Sequence, residues 1–573
     1  MKVNQNEKLL SLKKSLNACK KAFYYSLLFS FISNLMMLAI PIYSLQVLDR
    51  VISSASIETL VMLTLVAFLA LTCLSLIQGV RSFVMIKLGS WLDKRMSPVL
   101  FAHGIANSAY KRTISSGQHL QDMASIKNFI TGQAMSSLLD APWSMIFIIF
   151  LFFIHPAIGI VSVIGGVFLF IIAIMNEFST KSAIESAGEH SIKSASYADT
   201  AARNAEAIEA MGMLDNVTKI WQESNTKSMI LQEHAGRKSA IYSSITRFFR
   251  LAVQVGVTGV GAYYVLQAQM SVGAMIAAGI LVGRALAPFE TAIGSWKGFI
   301  SARKSLKRLT QSLEHSPVRT SSIELPEPKG HISFENVYFA PIGTKKPTIS
   351  AVNFKLNAGD VLAVIGPSAA GKSTIAKLLT GVWQPASGNV RLDGADVYNW
   401  RRDNFGKYVG YLPQDVELFV GTIKDNISRM NPDATDEDVI EAAKLANVHE
   451  LILRLPEDYQ TNIGLDGTTL SAGQRQRIGL ARAYFGHPKL VVLDEPNSSL
   501  DNEGDIALMK AIQNGKNRSI TTVIISHRPA ILQVADKVLL MSEGKIADFG
   551  DRDTVINNMR EKGVLPKLKA VQS

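Results

Sequence analysis

Two stretches in the second half of the chain hold residue types that handle phosphate. In VLAVIGPSAAGKSTIAKLL an apolar run leads into Gly366, Pro367, Ser368, Ala369, Ala370, Gly371, Lys372, Ser373 and Thr374, and then into a helical pattern. Glycines at the two ends of such a loop let backbone N–H groups approach an anion, and the helix N-terminus that follows favours negative charge. At this spacing Lys372 is placed to reach the β and γ phosphates of a nucleoside triphosphate, and Ser373 to ligate Mg²⁺. In KLVVLDEP four apolar residues end at Asp494 and Glu495. A buried strand ending there can offer the first acid to Mg²⁺ through water and the second to an attacking water molecule. Alone, the pair reads equally as two solvated acids at a strand end. Together with the phosphate loop it implies ATP hydrolysis.

A third stretch, LSAGQRQRIGLARA from Leu470 to Ala483, puts Ser-Ala-Gly-Gln at the start of a basic helix just before that strand. With it the chain resembles the ATP-binding cassette superfamily. The resemblance implies that Ser471 and Gly473, with Gln474 beside them, face the γ-phosphate of ATP held by a second subunit. A hydroxyl at a helix N-terminus suits that task. Ala472 stands where the common family form has glycine. Other family elements follow in order: Gln414 in YLPQDVELF matches the glutamine loop at Mg²⁺, Asp501 in SSLD the dimer-contact loop, and His527 in IISHR the switch histidine near the γ-phosphate. A lone histidine after a strand is ordinarily structural, and only its place in this series makes it functional. Pro341 falls where many cassettes carry an adenine-stacking aromatic, so Tyr338 or Phe339 is the substitute unless strand alternation turns it inward. One phosphate loop and one signature helix per chain, too far apart to meet, imply a homodimer with two composite sites; a heterodimer with a similar half-transporter is the alternative.

These groups need an α/β scaffold, and from His331 onward strand and helix patterns alternate as that requires. Upstream, EHSPVRTSSIELPEPKG reads as a linker, and everything before it differs in kind. Of 573 residues 48% are hydrophobic, and the apolar runs all precede about residue 300. Six of them approach the roughly 20 apolar residues of a membrane span, at 23–48, 57–80, 143–155, 157–178, 250–268 and 272–294. The third is short unless it extends upstream through SSLLDAPW. Lysine and arginine crowd the start and the two long connections, 81–140 and 179–250, while the other links are short and nearly neutral. By the positive-inside rule both termini are cytoplasmic. The long internal connections are expected to be helices continuing past the bilayer. The net charge of +12 is explained by those connections and not by a nucleic-acid partner. Cys19 and Cys73 make neither a disulfide framework nor a metal site. No cleavable signal is apparent; the lysine-rich start reads as an amphipathic surface helix or a solvated leader. The expected fold is an α-helical six-span membrane domain of ABC exporter type followed by an α/β P-loop nucleotide-binding domain. Its parts are a cytoplasmic segment 1–21, membrane domain 22–314, linker 315–330, cassette 331–556 and tail 557–573.

The membrane half narrows the resemblance. NLMMLAIPIYSLQVLDRVISSASIETL, LDAPWSMIFIIFLFFIHPAIG, GAMIAAGILVGRALAPFETAIGSWKGF and, in the cassette, ENVYFAPIGTKKPTI are similar to the protease-exporter (PrtD-like) group of type I secretion ATPases, nearly end to end. That likeness implies an inner-membrane ATPase that works with a periplasmic adaptor and an outer-membrane channel. Its cargo would be a secreted polypeptide with an uncleaved C-terminal signal, often after Ca²⁺-binding glycine-rich repeats. Span one begins by about residue 23, so no leader-cleaving peptidase domain is expected. The alternative is a lipid or small-molecule exporter of the same build. Arg284 and Glu290 fall in or near span six, where Arg284 either faces a water-filled path or snorkels to the interface. Trp143 is expected as an interfacial anchor.

Overall fold

The computed structural model describes residues 5–111, 116–314, 324–341, 344, 346–464 and 470–561. The first four residues, the first part of the expected linker (315–323) and the tail beyond 561 lie outside the described residues. The chain divides into two compact units, Met1–Pro317 and Val318–Ser573.

The first unit is helical. Among the described residues six stretches are long and apolar enough to cross a membrane: Asn17–Ser54, Ile57–Ala109, Gln133–Ile154, Pro156–Arg203, Leu214–Leu266 and Val272–Glu314. The third does extend upstream: Gln133–Asp140 continues through a 3₁₀ turn, Ala141–Trp143, into Ser144–Ile154. The lysine-rich start is not a separate element. One helix runs from Gln5 to Met36, because no glycine or proline interrupts it. Four helices are far longer than a bilayer needs, at 55, 48, 53 and 43 residues. The shortest of these rises ~65 Å, about twice a ~30 Å hydrocarbon core. The faces of span two carrying Val61, Leu65, Phe68 and Leu69 are exposed, as a lipid-facing surface should be.

Polar pins hold the bundle at defined levels. Arg81 of span two meets Asp140 of span three at 2.5 Å. The same carboxylate accepts from Ser30 and from Asn34 of span one (3.3 Å for Asn34). Further along, Asp122 pairs with Arg308 and accepts from Ser305 at 2.9 Å. At the opposite end Asp49 Oδ1 accepts the backbone N–H of Gly273 at 2.9 Å, satisfying a donor in the first turn of span six. Glu290 is held by Arg250 at 2.9 Å and Arg247 at 3.4 Å. Trp143 packs against Phe31 of span one, ring centroids 4.8 Å apart, and its indole N–H is buried without a partner. An interfacial anchor would keep that N–H on water or headgroups, so Trp143 is a packing residue.

The second unit carries a six-stranded sheet in the order Lys545–Asp551, Lys537–Ser542, Val361–Ile365, Thr521–Ile525, Leu490–Asp494, Val409–Leu412. The last five are parallel to one another and the first is antiparallel. Every residue of Leu490–Asp494 and Thr521–Ile525 is buried, as strands covered on both faces must be. A four-stranded antiparallel sheet, Ile349–Leu356, Ile332–Phe339, Ser387–Leu392 and Ala395–Asp396, forms a second layer. Four neighbouring parallel strands end at one edge of the main sheet. They deliver, in spatial order, the phosphate loop, His527, Asp494 with Glu495, and Gln414. Ligands of open α/β sheets bind at that edge.

Candidate nucleotide site

The loop after Val361–Ile365 is shaped by backbone that few side chains tolerate. Gly366 has φ +149°, and a Cβ there would lie 2.3 Å from Met541 O. Gly371 has φ +98°, where a Cβ would lie 3.0 Å from the Thr348 carbonyl. Ala369 also sits at positive φ, 64°. The helix Lys372–Leu379 follows at once, so its first N–H groups face the loop interior. Lys372 curls back over the loop and donates to Gly366 O at 2.9 Å and Pro367 O at 2.8 Å. Burial pulls its ammonium below the usual lysine range, opposed by the carboxylates of Glu495 and Asp494. Those two carbonyls occupy donors that phosphate oxygens would otherwise take.

Ser373 Oγ donates to Asp494 Oδ1 at 3.1 Å. Asp494 is 2% exposed, and burial raises its carboxyl above the usual range, with the Ser373 hydrogen bond pulling the other way. A serine hydroxyl and a carboxylate side by side form a hard-oxygen donor set that suits Mg²⁺. Glu495 has φ +50°, an uncommon conformation for a non-glycine residue, of the kind concentrated at functional sites. The turn aims its carboxylate sideways. Gln414 Nε2 donates to Oε2 at 3.0 Å and His527 Nε2 lies 3.1 Å from Oε1. Thus Lys372, Ser373, Asp494, Glu495, Gln414 and His527 form one cluster.

Ser471, Gly473, Gln474 and Asp501 are placed elsewhere. Ser471 caps the helix Ala472–Tyr484 in a capping box: its Oγ accepts from Gln474 N at 3.2 Å, and Gln474 Oε1 accepts from Ser471 N at 2.8 Å. Asp501 caps Asn502–Asn517, accepting from Gly504 N at 2.7 Å. These residues line a cavity of about 910 Å³ that no residue of the phosphate loop enters. Of the two aromatic substitutes for Pro341, Phe339 is core, stacked on Trp383 at 4.8 Å and 9°. Tyr338 alone is exposed.

One positioning residue escaped sequence reading. Gln476, 2% exposed, donates to Glu495 O at 3.2 Å and Ser498 Oγ at 3.3 Å, and accepts from Ser499 N at 3.1 Å. It ties the signature helix to the turn that orients Glu495. The only hint in the sequence is a glutamine within a helix face otherwise destined for burial.

Two family models match the chain: the ABC transporter transmembrane region over residues 23–283 and the ABC transporter over 349–498. The type I secretion system ATP-binding protein PrsD of Rhizobium meliloti is 39% identical over 95% of this chain and 94% of its own length. The chain belongs to the type I secretion ATP-binding proteins. These ABC transporters couple ATP hydrolysis to protein export, and this one is a multi-pass membrane protein with a nucleotide-binding cassette. The leukotoxin export ATP-binding protein LtxB of Aggregatibacter actinomycetemcomitans is 29% identical over 96% of this chain and 78% of its own length. The toxin RTX-I translocation ATP-binding protein of Actinobacillus pleuropneumoniae is 29% identical over 93% and 76%. A bacterial Atm1-family ABC exporter with ATP bound superposes with a TM-score of 0.83 at 18% identity, covering 97% of this chain and 99% of that one. At that identity the likeness carries the fold of this secretion ATPase and no more.

Proposed function

We propose that the chain is the inner-membrane ATPase and permease of a type I secretion system, with both termini cytoplasmic. Its cargo is a polypeptide bearing a C-terminal secretion signal, of the RTX protease or lipase kind, handed on to a periplasmic adaptor and an outer-membrane channel. The observation that carries this reading is the extent of the likeness: 95% of the chain, membrane domain included, aligns with a type I secretion protein.

The working unit is a homodimer. In one chain Lys372, Ser373, Asp494, Glu495, Gln414 and His527 form half of a site, and Ser471, Gly473 and Asp501 line a separate cavity. The other half comes from the partner's signature helix. On nucleotide binding Lys372 exchanges the Gly366 and Pro367 carbonyls for β and γ phosphate oxygens. Ser373, Asp494 and Gln414 would hold Mg²⁺, which when bound supplies charge neutralisation on those oxygens. Glu495 orients the attacking water and accepts its proton, kept in place by Gln414 and His527 on its two oxygens. Gln476 fixes the backbone from which Glu495 projects. Tyr338 is the available surface for adenine.

Secretion by cells expressing the chain with an adaptor and a channel tests this assignment. A reporter fused to a C-terminal fragment of a host-secreted protein should reach the medium intact. Lys372→Ala and Glu495→Gln should each abolish its appearance. Normal secretion by either variant would defeat the mechanism.

A further inference from the structure

Span six differs from the other spans in what it leaves exposed. Spans two, four and five present large apolar side chains, such as Leu69 (66% exposed), Ile164 (64%) and Val255 (72%). From Ala277 to Glu314, among the described residues, no large apolar side chain is exposed. Between Ala277 and Ile300 the exposed positions are Arg284, Thr291, Ala292, Gly294, Lys297 and Gly298. A lipid-facing surface has the opposite composition.

Arg284 lies 12 residues beyond Val272, about 18 Å from the outer end of the helix and so within the hydrocarbon depth. Among the described residues its guanidinium has no ion-pair or hydrogen-bond partner. An unpaired charge at that depth is costly unless it faces water. A guanidinium snorkelling through lipid would share its face with large apolar residues, and here the face is small and polar. Span five adds polar groups against the small residues that precede it in span six. The Gln254 amide lies 3.7 Å from where a Cβ on Gly283 would sit, and Thr258 Oγ1 lies 3.5 Å from the equivalent point on Gly279. Toward the cytoplasm Glu290 is shared by Arg247 and Arg250. Arg284, Arg247, Arg250 and Lys297 outnumber Glu290, so the charged groups named on this strip are predominantly positive.

We propose that Arg284, with Gln254 and Thr258 set against the neighbouring Gly283 and Gly279, forms a hydrated cationic track on spans five and six that takes anionic stretches of extended polypeptide in transit. The occupant rests on the export reading above, whereas the track stands on this geometry. Small side chains leave room for a moving backbone, the amide and hydroxyl exchange hydrogen bonds with successive peptide groups, and the guanidinium pairs transiently with carboxylates.

Thiol labelling of the full-length protein in lipid nanodiscs, in a Cys19→Ala/Cys73→Ala background, tests the track without any cargo. Arg284→Cys and Thr258→Cys are compared with Leu69→Cys, which lies at similar depth on the lipid face. Sulfonatoethyl methanethiosulfonate (anionic) and its trimethylammonioethyl analogue (cationic) are the probes. Arg284→Cys and Thr258→Cys should react at least about 10-fold faster than Leu69→Cys, because charged reagents do not partition into hydrocarbon. At Thr258→Cys the anionic probe should be preferred, and Arg284→Gln should reduce that preference several-fold. Labelling of Thr258→Cys as slow as that of Leu69→Cys would overturn the track even if Arg284→Cys folds poorly. Equal rates for the two probes, unmoved by Arg284→Gln, would overturn its cationic character. Either failure leaves the export reading standing, while a labelled track in a protein that exports no polypeptide would remove the occupant and keep the track.

Discussion

Glu495, the base of the proposed mechanism, has its backbone held in an uncommon conformation and partners on both carboxylate oxygens. Glu495→Gln keeps the shape and removes the proton acceptor. ATP binding should survive while turnover falls by about 10²–10⁴-fold, measured as nucleotide retention against phosphate release. Lys372→Ala should instead abolish nucleotide retention. Asp494 carries a pH signature. Burial raises its carboxyl above the unfolded value, so the folded state is more stable with this group neutral. That advantage is present below the unfolded pKa and is lost as pH rises through the folded one. Asp494→Asn should therefore raise the unfolding temperature of the full-length protein near neutral pH, and the gain should vanish in acid. A gain that grew on acidification would contradict the assignment of burial as the cause.

Elements decide how much of this could be read in advance. VLAVI is apolar throughout, LVVLD up to its closing Asp494 and TTVII after its two threonines, and such runs announce strands covered on both faces. Their carboxyl ends had to carry the phosphate loop, the two acids and the histidine, so that half of the site was legible. Gln476 was not, because its role depends on which turn the signature helix packs against, a tertiary fact. Phe339 and Tyr338 were undecidable from alternation alone until the second layer placed Trp383 against one of them. In the membrane half, hydropathy located the spans but could not show Trp143 turning inward onto Phe31, nor the level at which Arg81 meets Asp140. That pair joins spans two and three, and Asp140 also accepts from span one. Asp140→Ala, which strands a buried guanidinium, should cost about 3–5 kcal/mol. Arg81→Met/Asp140→Leu together should recover most of the loss, since a packed apolar pair needs no counter-charge. Thermal unfolding of the detergent-solubilised protein compares the three; a double variant as unstable as the single one would show that the pair contributes more than mutual neutralisation.

At the scale of the whole molecule the proposed division of the site between two chains makes a sharp prediction. A Cβ at Gly473 would press on Ser499 O at 3.1 Å, and in the proposed dimer Gly473→Asp would add a negative charge facing the partner-held γ-phosphate. Lys372→Ala and Gly473→Asp homodimers should both be inactive. Mixed dimers should regain up to half of the hydrolysis, because one composite site then pairs an intact phosphate loop with an intact signature helix. No recovery on mixing would mean that both sites must fire or that the site closes within one chain. In the proposed function this cycle is coupled to a moving polypeptide. The most direct test of that coupling is ATP hydrolysis by the protein in lipid nanodiscs, with C-terminal fragments of proteins its own host secretes. One such fragment should change the rate, with no response to its scrambled sequence or in Glu495→Gln. A rate that responds only to lipids or small amphiphiles would contradict polypeptide export.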